Sequence, residues 1–263
     1  MDIANALVAI LNFVVIPAAA YGSQLALGAL GVTLIYGILR FSNFAHGDTM
    51  AIGTAIVILL TWGLQALGVS LGPLPTALLA LPVGIAITAG LVLLTDRLVY
   101  RHYRRVRADP IVLVMASTGV MFLMNGLTRL LIGVDEIRFD DGARFLISVQ
   151  QFKAWTGLTE GLALRLSQFI TLVVAGLSCW ALFRFLNRTR SGKAMRAYSD
   201  NEDLALLSGI DPERVVRLTW IIATALAVMA GTLYGLDKSF KAFNYFQILL
   251  PIFAAAIVGG LGS

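Results

Sequence analysis

Charge and cysteine are scarce in this 263-residue chain. Charged residues make up 13% of it, which is about half the share of a typical soluble domain. The single cysteine, Cys179, excludes an internal disulfide and a cysteine metal cluster. The two histidines, His46 and His102, are far apart and do not share the spacing of metal ligands. The sequence therefore predicts neither a metal site nor a cofactor.

Motifs of common enzyme classes are also missing. The sequence contains no GxxxxGK[ST] phosphate loop and no HExxH zinc motif. Neither histidine has an evident catalytic partner nearby in the sequence. We therefore expect no catalytic residues, and we predict that the chain is not an enzyme and does not bind ATP through a phosphate loop.

Long uncharged runs dominate a sequence that is 58% hydrophobic. A run of about 18 or more apolar residues is long enough to cross a bilayer. We predict an all-α, polytopic membrane helix bundle with about seven or eight transmembrane helices, forming one transmembrane domain over residues 1–263. The predicted spans are 5–39, 48–68, 74–95, 111–132, 168–187, 214–236 and 246–262.

The first apolar run, 5–39, is too long for one simple span. Pro17 and Gly22 interrupt it, so it is either one span with a lead-in or a broken helix. If it crosses the membrane once, Arg40 lies near the inner side. If it crosses twice, the start of the chain moves inside, and the sequence leaves both readings open.

Basic residues give the orientation of the predicted spans. The segment 97–107 contains five arginines and no acid, so it is expected in the cytoplasm. The charged stretch 188–217 follows two spans later, on the same side. The loop 133–167 has nearly balanced charge and, with the link 237–244, is expected outside. Cytoplasmic loops thus explain the net charge of +5, and lipid rather than nucleic acid is the expected partner.

A dense block of charge, RSGKAMRAYSDNEDLALLSGIDPERVVR, occupies 190–217. It predicts a short helix over 192–198 and then a second helix rich in leucine. We expect Asp200 to cap the second helix, with Asp203 three residues later as in a capping box. Gly209 is expected just past the end of that helix.

Asp211 is predicted to cap a third helix, with Pro212 at its first position. The stretch 188–213 is therefore interpreted as a folded loop. Its modest apolar face, which comprises Leu204, Leu207 and Ile210, fits a hydrophobic groove on another protein, and the charges around it would fix the register. The alternative is a solvated loop that only sets the topology.

A second polar stretch, RFSNFAHGD, lies between the first two apolar runs. Its Asn43, His46 and Asp48 are interpreted in two ways. In the first, the stretch is a plain turn, and Asp48 caps the span that follows. In the second, it is a break in a helix that faces the translocation path, since irregular backbone at membrane depth is tolerated only against protein or water.

Inside the predicted spans, polar residues are few and uncharged. A proton- or sodium-coupled carrier usually needs an intramembrane carboxylate or a similar ion site. We place Asp96 and Arg129 at span ends, where they can reach the membrane interface. The pattern therefore favours a pore that is opened by a separate energy source. A stand-alone secondary transporter or channel for a small solute is the alternative.

The charged block resembles the cytoplasmic loop of ABC-importer permeases. In that family a glutamate-alanine-alanine stretch lies six residues before a glycine and docks into the ATPase. Ala205 and Gly209 match this motif, Asp203 keeps its acidic character, and Leu204 departs from it. The wider phrase RTRSGKAMRAYSDNEDLALLSGID is closer to the permeases of high-affinity branched-chain amino acid importers. The segments GALGVTLIYGILRFSNFAHGD and IVGGLGS resemble the same subfamily.

This resemblance implies an ATP-driven importer for branched-chain or related small amino acids in the bacterial inner membrane. It implies ABC ATPase subunits, a second homologous permease and an extracytoplasmic substrate-binding protein as partners. Related permeases serve complexes for leucine-type amino acids, urea or amides. Family members continue past the final glycine cluster, so a C-terminal truncation is expected. The residues implied for ATPase coupling are Gly192, Arg196, Asp200, Asp203, Ala205 and Gly209, and those implied for the translocation path are Asn43, His46 and Asp48.

Overall fold

The computed structural model describes residues 3–139 and 142–260. The acidic pair Asp140 and Asp141, and the last three residues of the IVGGLGS match, lie outside the described residues. Within them the fold is a helical bundle. Its helices are α1 (Ile3–Leu39), α2 (His46–Ala66), α3 (Ala77–Arg105), α4 (Pro110–Ile132), α5 (Val149–Thr156), α6 (Leu166–Arg188), α7 (Arg190–Asp200), α8 (Glu202–Leu207), α9 (Pro212–Asp237) and α10 (Ala242–Val258).

The predicted membrane helices are confirmed. Six described helices are long and apolar enough to cross a membrane, and these are α1, α2, α3, α4, α6 and α9. The seventh predicted span corresponds to the shorter apolar helix α10. Most predicted ends agree with the structure within a few residues. The third span differs, because α3 continues through the arginine-rich segment to Arg105.

Helix α1 is continuous, which settles the question that the sequence left open. It has 37 residues and is roughly 55 Å long at 1.5 Å per residue. A π-helical stretch, Leu11–Val15, immediately precedes the turn that contains Pro17. This wide turn lets the helix accommodate a residue that has no N–H donor. The first apolar run is therefore one helix that can cross the membrane once.

The two ends of the bundle carry the loops that the sequence assigned to opposite sides. At one end, Arg101 of the basic segment pairs with Glu213 of the charged block at 3.2 Å. At the other end, Ile137 and Phe240 form an antiparallel backbone bridge. Asn5 and Asn12 accept backbone hydrogen bonds from the loop 133–167 there. We call these the predicted cytoplasmic end and the predicted outer end.

Helix α9 lies at the centre of the bundle. In the apolar stretch of α9, 67% of the residues are buried, whereas in that of α1 only 17% are buried. Close approach to α2 depends on glycine: a Cβ at Gly231 would lie 2.5 Å from Thr54 Oγ1 and 2.9 Å from the carbonyl oxygen of Met50. A larger residue at that position would push the two helices apart.

The loop 133–167 contains secondary structure that the sequence analysis missed. Strands β1 (Phe145–Ile147) and β2 (Leu164–Arg165) pair antiparallel, with α5 between them. Ser148 and Gln151 form a capping box at the start of α5. This small subdomain covers the predicted outer end of the bundle.

Candidate functional site

We call residues 188–213 the coupling loop, after the role that the family resemblance implies, and they contain the two short helices that the sequence predicts. In α7, Met195 and Tyr198 are buried, while Lys193 and Arg196 are exposed. Thr189, which the sequence analysis missed, caps this helix by accepting a hydrogen bond from the Gly192 backbone at 3.0 Å. A Cβ at Gly192 would collide with the carbonyl oxygen of Phe185. Glycine therefore allows the sharp turn from α6 into α7.

The predicted cap of α8 is wrong by one residue. Asp200 is the last residue of α7, and Asn201 is the cap, with its Oδ1 accepting a hydrogen bond from Leu204 N at 3.0 Å. Asn201 has the extended backbone that a capping residue needs, at φ −153° and ψ 108°. The predicted capping box is absent because Leu204 occupies its third position. Asp203 still lies in the first turn, where a negative charge is favourable.

The end of α8 is confirmed at Gly209. This glycine has a φ of +79°, which lies in the left-handed region. Its N–H donates to the Leu206 carbonyl, and the Ile210 N–H donates to the Ala205 carbonyl, each at 3.0 Å. These two bonds form a Schellman motif. The next predicted cap is also confirmed, because Asp211 accepts from Glu213 N at 3.0 Å, with Pro212 at the first helical position.

Helix α8 presents three exposed leucines, and Leu206 is the least exposed of them at 44%. Leu204 is 60% exposed and Leu207 is 85% exposed, whereas Ala205 on the opposite face is buried. Ile210, predicted to share the apolar face, instead packs against the buried core. The exposed apolar surface is therefore smaller than predicted and lies on α8 alone.

Direct contacts attach the coupling loop to the membrane helices. Ser199 Oγ donates to the carbonyl oxygen of Gly37 at 3.0 Å, and the Arg40 guanidinium donates to the Ser199 carbonyl. The Tyr198 hydroxyl donates to Glu202 at 2.6 Å. Burial, reinforced by this carboxylate, raises the pKa of Tyr198. The end of α1 is thus connected to α7 by the two hydrogen bonds of Ser199.

The polar stretch between α1 and α2 turns back into the bundle. Arg40 adopts a left-handed conformation at φ 57°, and α2 begins at His46. His46 Nε2 lies 3.1 Å from the carbonyl oxygen of Gly28, about three helical turns before the end of α1. We call residues 40–48 the re-entrant segment, because it carries the start of α2 to that depth.

Asn43, His46 and Asp48 are all buried, but they contact different helices. His46 faces α1, as described above. Asn43 Oδ1 accepts from the Tyr100 hydroxyl of α3 at 3.3 Å. Asp48 Oδ1 accepts from Asn125 Nδ2 of α4 at 2.7 Å, while Asp48 Oδ2 has no hydrogen-bond partner among the described residues. The structure therefore does not gather the three into one cluster.

Two expectations about this segment are wrong. Asp48 does not cap α2, because the capping position is Ala45, which makes no side-chain cap. Asp48 instead lies within the first helical turn, which favours its charge through the helix dipole. The spans were also expected to lack an interior carboxylate, and Asp48 is completely buried inside the bundle. The sequence analysis had assigned it to a boundary between spans.

Asp96 was expected to reach the membrane interface and instead is packed inside the protein. Its Oδ1 accepts from Trp220 Nε1 of α9 at 2.7 Å, and its Oδ2 accepts from Arg104 at 3.1 Å. Tyr100 stacks on Trp220 with the ring centroids 5.2 Å apart. Only the tertiary structure brings Trp220 to this site, so the sequence carried no local signal for it.

The sequence comparisons agree with these features. The family model for the permease component of branched-chain amino acid transport systems matches residues 14–263. The high-affinity branched-chain amino acid transport system permease protein LivH of Escherichia coli K12 is 30% identical over 249 residues, which cover 92% of this chain and 76% of LivH. BraD of Pseudomonas aeruginosa, a permease protein of the same description, is 29% identical over 246 residues, which cover 92% of this chain and 76% of BraD.

A probable branched-chain amino acid transport permease protein LivH of Methanocaldococcus jannaschii is 28% identical over 242 residues, covering 92% of this chain and 71% of that protein. No solved structure matches. The matched proteins are described as transport permeases rather than as enzymes. The six span-length helices agree with a multi-pass protein of the inner membrane. The chain belongs to the family of permease components of branched-chain amino acid transport systems.

Proposed function

We propose that this chain is the transmembrane permease subunit of an ATP-driven importer for branched-chain or related small amino acids. It forms part of the translocation pathway and docks ATPase subunits through residues 188–213. The observation that carries this proposal is α8, a short helix with a cap at each end and three exposed leucines. Such a helix presents an apolar face of fixed shape to a groove on a partner.

The coupling residues have distinct roles in this proposal. Leu204 and Leu207 enter the ATPase groove, and exposed charges such as Arg196 and Asp203 fix the register of the contact. Asp200 ends α7 beside the cap of α8. Gly192 and Gly209 allow the backbone turns at the two ends of the loop, and Ala205 packs α8 against the bundle. Arg196 is itself positioned by a 2.6 Å hydrogen bond to Asn187 Oδ1.

Movement of the ATPase is transmitted to the pathway through the start of the re-entrant segment. Ser199 of the coupling loop contacts both Gly37 and Arg40, which are close to the start of that segment. A displacement of α7 therefore moves Asn43, His46 and Asp48 relative to α3, α1 and α4. We propose that these three residues border the translocation path when the pathway opens.

The partners in this proposal are ABC ATPase subunits, a second homologous permease and an extracytoplasmic substrate-binding protein. ATP hydrolysis belongs to the separate ATPase subunits, and this chain is not an enzyme. Residues Gly68–Gly72 do fit the spacing of a GxSxG motif. They lie in the exposed connection between α2 and α3, whereas a nucleophile elbow needs a strand-to-helix turn.

A stand-alone secondary transporter is the second candidate, and one observation favours it. Asp48 is a fully buried carboxyl group with an unpaired Oδ2 among the described residues. Intramembrane carboxylates of this kind form ion and proton sites in coupled carriers. Uptake of an amino acid driven by a proton gradient, measured with the purified chain alone in vesicles, would support this function and contradict the ATP-driven one.

Co-purification tests the proposed function. The tagged chain, extracted from native membranes in mild detergent, should carry ATPase subunits with it, and vesicles containing the complex should take up leucine with ATP. The double substitution Leu204→Asp and Leu207→Asp should release the ATPase without lowering the amount of permease. Leu67→Asp is the matched control, because Leu67 is equally exposed but lies at the predicted outer end. Retention of the ATPase by the double variant would contradict the assigned docking surface.

A further inference from the structure

A polar cleft of about 710 Å³ opens at the predicted outer end, away from both the coupling loop and the re-entrant segment. It lies between the end of α9, the start of α6, the loop that follows α4 and the connection between α2 and α3. Small-molecule sites in proteins occupy roughly 300–1,000 Å³. The cleft therefore has the size of a ligand site.

A buried carboxylate lies at one side of this cleft. The side chain of Asp237 is only 2% exposed. Its nearest side-chain donors are Ser167 Oγ at 3.5 Å, Arg165 at 4.0 Å and Lys238 Nζ at 4.0 Å. Charge-assisted hydrogen bonds are much shorter, at about 2.7–2.9 Å. Since a buried charge requires close donors, Asp237 has the capacity to accept one from a ligand.

Basic side chains line the same cleft as this carboxylate. Arg165, Lys238, Arg138 and Arg144 all line the cleft, so the described lining has more positive than negative charge. Arg165 also donates to the backbone carbonyl of Asp237 at 3.4 Å, which holds its guanidinium beside the carboxylate. A guanidinium presents two parallel donors that match a carboxylate ligand.

The remaining part of the lining is apolar and includes Pro75, Phe139 and Leu236. These residues provide a surface for an aliphatic side chain. Gly235 forms part of the same wall, and a Cβ there would lie 3.1 Å from the Tyr245 hydroxyl. The hydroxyl group of buried Tyr245 therefore lies directly behind this wall.

We propose that this cleft binds one free α-amino acid zwitterion with an aliphatic side chain. The Asp237 carboxylate accepts hydrogen bonds from the ammonium group of the ligand, and Arg165 donates to its carboxylate. Phe139 and Leu236 contact the aliphatic side chain of the ligand. This site rests on the proposed function for the direction of transport, because in an importer the substrate reaches the cleft from the predicted outer end. The binding site itself follows from the cleft and its charges.

Calorimetric titration of three ligands tests this site in the purified permease, together with any subunits that co-purify with it, in lipid nanodiscs without the binding protein and without ATP. The probes are leucine, 4-methyl-2-oxopentanoate, which lacks the ammonium group, and 3-methylbutylamine, which lacks the carboxylate. Saturable leucine binding is expected, with both analogues at least about tenfold weaker because each loses a charged hydrogen bond. Absence of saturable leucine binding, or equal binding of the three ligands, would overturn the site.

Two substitutions separate the two ends of the ligand. Asp237→Asn should weaken leucine binding about tenfold or more without weakening binding of the oxo acid. Arg165→Gln should weaken binding of leucine and the oxo acid without weakening binding of the amine. Glu160→Gln and Lys153→Gln are the matched controls, because each removes a charge of the same sign at the predicted outer end, outside the lining of the cleft. Equal effects of a test variant and its control would contradict the proposal.

Other outcomes of the same experiment are also decisive. If Arg165→Gln weakens docking of the binding protein while leucine shows no saturable binding, the cleft is a protein contact and the proposal is wrong. If leucine binds as expected in nanodiscs but the co-purification and vesicle uptake experiments described above find no ATPase and no ATP-driven uptake, the proposed function fails and the site remains. The two proposals therefore fail separately.

Discussion

The coupling loop and the re-entrant segment are both polar, yet their polar groups are satisfied in opposite ways. The coupling loop makes most of its hydrogen bonds within a few residues, as at Thr189, Asn201 and Asp211. The re-entrant segment relies on residues far away in the sequence, such as Gly28, Tyr100 and Asn125. The loop therefore keeps its own shape, whereas the segment depends on the packing of three helices.

The comparison predicts that damage to the loop abolishes function while sparing the fold. Gly209→Pro should reduce ATP-driven uptake to background, because proline fixes φ near −65° and removes the N–H that bonds to Leu206. The amount of permease in the membrane should stay near that of the unmodified protein, since Gly209 lies outside the core. Uptake and immunoblot of vesicles measure both quantities.

The control for this variant is Gly209→Asn, because asparagine tolerates the left-handed conformation. It should retain most of the uptake. Equal uptake by Gly209→Pro and the unmodified protein would show that the shape of the loop does not matter.

Damage to the re-entrant segment should instead lower stability. Asn125→Leu removes the side-chain hydrogen bond that buried Asp48 makes among the described residues, and it should cost about 3 kcal/mol or more, the range for a buried charged group left unpaired. Thermal unfolding in detergent measures the loss. The double variant Asp48→Leu with Asn125→Leu should recover part of it, because no unpaired carboxyl remains. Additive losses would show that the two side chains do not interact.

Part of this contrast is visible in the sequence. Asp211, Pro212 and Gly209 are residue types that favour helix ends, so most of the helix boundaries in the coupling loop could be predicted. The spans were predicted nearly correctly from the lengths of the apolar runs. The cap at Asn201 was missed because Asp200 offers a similar side chain one position earlier, and only the backbone distinguishes the two. The depth of Asp48 and the contact between Asp96 and Trp220 were not predictable, because both depend on helices that are distant in the sequence.

His46 lies in the re-entrant segment, and here we expect an effect on transport in addition to the loss of stability. His46→Ala removes the contact with Gly28 and should lower uptake several-fold, and more than it lowers the amount of protein. His102→Ala is the control, since His102 lies in the arginine-rich end of α3, outside the re-entrant segment. Uptake that merely follows protein abundance would assign His46 to packing alone.

The smallest effect is expected where the coupling loop meets α3 through partly exposed charges. Arg101→Gln breaks the pair with Glu213, whose side chains are 34% and 39% exposed. A partly exposed ion pair contributes about 0.2–1 kcal/mol, so the midpoint of unfolding should change little. A large loss of stability would show that this pair, rather than the packing of Met195 and Tyr198, holds the loop in place.

The central claim is that residues 188–213 lie on the cytoplasmic side and bind the ATPase. Leu207→Cys in a Cys179→Ser background allows this to be measured with a membrane-impermeant maleimide. We expect no labelling in intact cells, labelling in inside-out vesicles stripped of the ATPase, and protection when the ATPase is added back. Labelling in intact cells would contradict the account.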